Sequence, residues 1–149
     1  MVGTADLYQK YWQGFLDYCA LTTTTLLLDA PPSRYYYLLP LGYRGFAISL
    51  LAAQKRGLLR CELYLDKAQA KANFARLHKH QAVIEAQLGQ QGKLQWEVVP
   101  GRRGQHIVLY GPASDLYDQS LRIPNYQWLK QQAEIFSQTF TPYARDLTH

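Results

Sequence analysis

The sequence predicts a single α+β domain spanning residues 1–149, with elements in the order α-β-β-β-α-β-β-α and a five-stranded, mostly antiparallel sheet packed by three helices. Its length of 149 residues suits one hydrophobic core. Short β-branched and aromatic runs are joined by glycine-bearing loops, as hairpins require. Longer stretches instead repeat apolar residues at helical spacing.

Leu7, Tyr11, Phe15 and Tyr18 set the apolar stripe of a first helix over Asp6–Ala20, widened by Trp12, Leu16 and Cys19. The β-branched run Thr22–Thr25 and the loop Ala30-Pro31-Pro32-Ser33 separate this helix from the first strand. A meander of strands comes next: Tyr35–Leu39, Phe46–Ala53 and Leu58–Leu65. Its turns are Leu41–Gly45 and Gln54–Gly57, both short and polar.

Asp66 is the expected N-cap of a long helix over Lys67–Leu88, with Gly89 at its C′ position. Leu94–Val99 and Gln105–Tyr110 form a second hairpin across Gly101-Arg102-Arg103-Gly104, ended by Gly111-Pro112. Leu129, Ala133, Phe136 and Phe140 mark a last helix over Asn125–Phe140, with Pro142 as its stop. If the long helix crosses over within one sheet, the third and fourth strands run parallel. The Tyr43-Arg44 and Arg102-Arg103 turns then share one end of the sheet, and Lys55-Arg56 lies at the other.

Composition narrows the function classes. The net charge of +5 is compatible with an acidic partner such as nucleic acid. Twelve tyrosines and three tryptophans exceed what a core of this size needs, so some rings belong at a surface. Cys19 and Cys61 form no CxxC pair and read as reduced, buried hydrophobes. The apolar stretch Tyr35–Ala53 is broken by Pro40, Gly42, Arg44 and Gly45, so no membrane helix forms there. With no signal-peptide pattern at the start, the expected location is the cytoplasm, away from membranes.

The chain resembles a known family, the bacterial and archaeal domain of unknown function 4268, over roughly residues 8–147. The resemblance is carried by Tyr11-Trp12-Gln13-Gly14-Phe15, Leu41-Gly42-Tyr43-Arg44-Gly45-Phe46, Glu62-Leu63-Tyr64-Leu65, Leu94-Gln95-Trp96 and the stretch from Trp128-Leu129 to Phe140 with Pro142. It brings no assigned activity and no catalytic residue. Members look like tail domains of restriction-type nucleases, which implies DNA-related work and a nuclease partner. The α-β-β-β-α-β opening also resembles the core of those nucleases, whose metal site needs an acid on the second strand and acid-x-lysine on the third. Here the second strand lacks an acid, and Glu62-Leu63-Tyr64 carries tyrosine in place of lysine.

Strand alternation collects Arg60, Glu62, Tyr64, Glu97, His106 and Tyr110 on one sheet face. Glu62, Glu97 and His106 are therefore the candidates for acid–base or metal-dependent hydrolysis, against a reading as cross-strand ion pairs. His78 and His80 are two apart on a helix, cannot share a zinc, and read as a solvated face. Gly101-Arg102-Arg103-Gly104 is not a phosphate-binding loop, and no motif calls for a metal or cofactor. Arg34 beside three tyrosines, Tyr43 with Arg44, and Arg102 with Arg103 are the candidate nucleic-acid contacts. The leading expectation is a non-enzymatic accessory module of a DNA-processing or phage-defence system that binds nucleic acid or a protein. The alternatives are a homodimeric interaction module and a metal-dependent hydrolase.

Overall fold

The computed structural model describes residues 3–90, 93–98 and 104–148. It contains α1 (Thr4–Leu21), β1 (Tyr36–Pro40), β2 (Phe46–Leu51), β3 (Leu58–Leu65), α2 (Ala70–His78), α3 (Gln81–Leu88), β4 (Gln95–Val98), β5 (Gln105–Ala113) and α4 (Arg122–Leu147). The sheet has five strands in the order β1-β2-β3-β5-β4, and each of its four pairings is antiparallel. β3 and β4 do run in the same direction, but β5 lies between them.

The register fixes the ends of the sheet. Phe46 pairs with Leu65, Leu65 with Gln105, and Gln105 with Val98. The β1–β2 turn and the adjoining ends of β4 and β5 thus share one end, and the Lys55-Arg56 turn lies at the other. Arg102 and Arg103 themselves lie outside the described residues.

Among the described residues four α-helices form where three were expected, because the long helix divides. α2 stops at His78, the His80 amide donates to the Leu77 carbonyl (2.9 Å), and α3 starts afresh at Gln81. The break lets α2 pack on β3 and β5 while α3 turns onto α4. Nor is Asp66 the cap: its amide donates to Gly45 O, and α2 begins three residues beyond Lys67, behind Gln69 and without a side-chain cap. His78 and His80 consequently face different neighbours. His78 stacks on Phe74 and leans on Trp96, and His80 meets Tyr143, so both rings are packed on one side.

The stop signals also yield. α4 runs straight through Pro142, because Phe136, Phe140 and Ala144 continue one fully buried stripe. The burial outweighs one lost helical hydrogen bond. β5 likewise passes Gly111-Pro112 and ends at Ala113. Leu58 pairs with Ala113 but Arg60 with Tyr110, so β5 bulges there and Pro112 owes no ladder bond.

The described helices pack on one face of the sheet. Tyr37, Ile48, Leu50, Cys61, Leu63 and Ile107 meet Trp12, Phe15, Leu77, Phe136 and Phe140 in a single cluster. Trp12 is its hub, with edge-on contacts to Tyr11, Phe15 and Tyr37 at centroid distances of 5.3, 5.9 and 5.5 Å. Both cysteines are buried and free. No helix among the described residues is long and apolar enough to cross a membrane.

Candidate functional site

Among the described residues, the other face of the sheet carries no helix. Its side chains follow the strand period and stand in three rows across the register. Tyr36, Leu51, Arg60 and Tyr110 form the first row. Leu38, Ser49, Glu62, Val108 and Gln95 form the second. Pro40, Ala47, Tyr64, His106 and Glu97 form the third. Between them lies a hollow of about 580 Å³, lined on one side by Tyr36, Leu38 and Leu51 and on the other by Arg60, Glu62 and His106.

The polar half is a connected network. Arg60 Nη2 donates to Glu62 Oε2 at 2.9 Å, and His106 Nδ1 donates to Glu62 Oε1 at 3.0 Å. The Glu62 side chain is only 4 % exposed, so its charge rests on these two partners rather than on water. Arg60 also reaches Glu97 Oε1 at 3.8 Å, and the Tyr110 hydroxyl donates to Glu97 Oε2 at 3.3 Å. The Arg60 guanidinium lies over the Tyr110 ring, 5.1 Å from its centroid. Arg60 Nε is buried and finds no hydrogen-bond partner among the described residues.

The structure thus gathers Glu62, Glu97 and His106, as the alternation of the strands predicted, but their common partner is Arg60. A guanidinium occupies the place between the carboxylates. Among the described residues no group of three His, Cys, Asp or Glu side chains is arranged to hold a metal ion.

The basic candidates divide. Arg34 is exposed and its guanidinium sits 4.3 Å from the centroid of Tyr36, whose ring meets Tyr35 edge-on. The segment is held by the Trp12 indole N–H, which donates to Arg34 O (2.9 Å), and by Ala52 N–H donating to Tyr35 O. A core residue therefore positions the rim of the hollow. Arg44 is exposed at the far end of the sheet, and Tyr43 packs against the core instead of projecting.

Arg56 reaches the same hollow from the β2–β3 turn, a contact that strand alternation does not reveal. The turn is pinned from outside: Gln54 N–H donates to the Tyr8 hydroxyl, and its side chain bonds Asp115 and Leu116 N. Ser49, Leu38 and Leu51 also line the hollow and were missed as site candidates, although their positions on alternating strands would have placed them on this face.

The family model described as Domain of unknown function (DUF4268) matches residues 7–144. The chain belongs to this family. The DUF4268 match runs from Leu7 on α1 to Ala144 on α4, so the whole open face and the cluster behind it lie inside the family's extent. No curated protein and no solved structure matches the chain.

Proposed function

We propose that this DUF4268 chain is a non-enzymatic accessory module of a DNA-processing or defence system, and that it binds a nucleic-acid strand across its open sheet face. One observation carries the reading: a face left bare by the described helices displays tyrosines already paired with arginines, Arg34 on Tyr36 and Arg60 on Tyr110. Tyr35 and Tyr110 are each nearly half exposed, so their rings are available to bases. Aromatic rings stack bases regardless of sequence, while arginines meet the phosphates. The net charge of +5 adds long-range attraction.

Fluorescence anisotropy with labelled single-stranded DNA and RNA, repeated across a salt titration, tests this. The affinity should fall steeply with salt, with a slope near 0.7 per phosphate contacted. Tyr36→Ala should weaken binding about five- to 150-fold, the range of one lost stacking contact. Substituting Arg44, at the opposite end of the sheet, by alanine separates binding at that tip from face binding. Absence of salt-sensitive binding to every strand removes the proposal. Light scattering that finds a dimer with Tyr35 and Tyr36 masked would assign the face to a second copy instead.

A further inference from the structure

We infer that the hollow is a site for one unstacked nucleotide, with the base in the hollow and its phosphate at the Arg34–Arg56 rim. The inference deepens the strand-binding proposal and rests on it for the source of the nucleotide. Its grounds are the shape and the charge layout of the hollow.

At about 580 Å³, the hollow has the volume of a small-ligand site. It is also two-sided. Tyr36, Leu38 and Leu51 offer an apolar wall to the flat surface of a base. Across from them, Arg60, Glu62 and His106 make a polar wall. A heteroaromatic ring with polar edges matches such a lining, because its flat surface suits the apolar wall and its edge atoms can bond the polar one.

Charge orients the guest. Glu62 stands in the second row and Glu97 in the third, and Arg60 bonds the first at 2.9 Å and reaches the second at 3.8 Å. Arg56 lines the opposite end of the hollow and Arg34 stands against Tyr36 there; neither makes an ion pair among the described residues. A phosphate is attracted to that rim and repelled from the carboxylate side.

Two sources carry this chemistry, a free nucleoside monophosphate and a nucleotide extruded from a strand. Calorimetric titration with the four ribonucleoside monophosphates addresses the first, and a single-stranded oligonucleotide with or without abasic positions the second. Two variants probe the site: Ser49→Phe, which fills the floor with a residue that suits a strand, and Arg56→Glu, which reverses the rim charge on an exposed turn. Circular dichroism checks both folds, and Arg56→Glu keeps the test open if Ser49→Phe does not fold. Each variant should weaken binding about tenfold or more, and the abasic strand should lose a comparable factor. Monophosphate binding without strand binding sustains the hollow as a nucleotide site and ends the strand proposal. Strand binding indifferent to Ser49→Phe, Arg56→Glu and abasic positions overturns the nucleotide site and leaves the strand proposal standing. No binding of either ligand overturns both.

Discussion

Replacing Glu62 with alanine takes one carboxylate out of the sheet and strands both of its partners. Arg60, whose side chain is 13 % exposed, keeps only Glu97 at 3.8 Å; His106, 24 % exposed, loses the acceptor of its Nδ1 proton. Breaking a fully buried ion pair from one side costs about 3–5 kcal/mol. Water still reaches part of both partners, which lowers the expected cost to roughly 2–3 kcal/mol. At about 2–4 °C per kcal/mol for a domain of this size, the melting temperature should fall by roughly 4–12 °C. Urea denaturation of the wild type, Glu62→Ala, Arg60→Ala and the double variant measures the coupling directly. The double variant should be less unstable than the sum of the singles, because removing Arg60 also removes the charge that Glu62→Ala leaves unpaired. A Glu62→Ala cost below about 0.5 kcal/mol, or strict additivity with Arg60→Ala, refutes a network centred on this carboxylate.

Two further outcomes test the core behind the face. A methyl group at Gly14 would fall on the Tyr126 hydroxyl, 3.1 Å from its Cζ, and that hydroxyl donates to Tyr11 O at 2.7 Å inside the core. Gly14→Ala should therefore destabilise by about 1–3 kcal/mol despite alanine's helix preference, and Tyr126→Phe should reduce that penalty, both read by thermal melts. Burial pushes the Cys19 thiol up from 9.0 to about 11, and the Tyr37 and Tyr126 hydroxyls from 10.0 to about 12. Because the folded state holds these groups neutral, their contribution is fully present below about pH 9 and is lost as the pH rises towards 12. Melts across the alkaline range should show stability flat up to pH 9 and falling beyond it; no fall by pH 12 would contradict their burial.

Much of the candidate site was legible because strand alternation is local. Arg60, Glu62 and Tyr64 share a face whatever lies beside them, and so do His106 and Tyr110. The hairpin turns were legible too, since Gly42 and Gly45 take positive φ there (86° each), a region open to glycine. What misled were stop signals read in isolation. Pro142 and Gly111-Pro112 stop a free helix or strand, but not one whose next residues are drawn into the core or released by a bulge. The division at Lys79-His80 carried no glycine or proline, because packing on two different neighbours imposes it.

By itself the sequence determined the faces of the strands, the hairpins and the amphipathic helices, all of which arise from contacts a few residues apart. Only the tertiary structure decided which strand stands beside β3. β5, with Ile107, Val108 and Leu109 buried, takes the interior position; β4, with Gln95 and Val98 exposed, takes the edge. The same choice puts β5 between the two acid-bearing strands, with His106 paired to Glu97 in the register and bonded to Glu62, where direct pairing of β3 with β4 would have put like charges on neighbouring strands. It took the folded sheet to bring Arg56 into the lining of the hollow with Tyr36, against whose ring Arg34 lies.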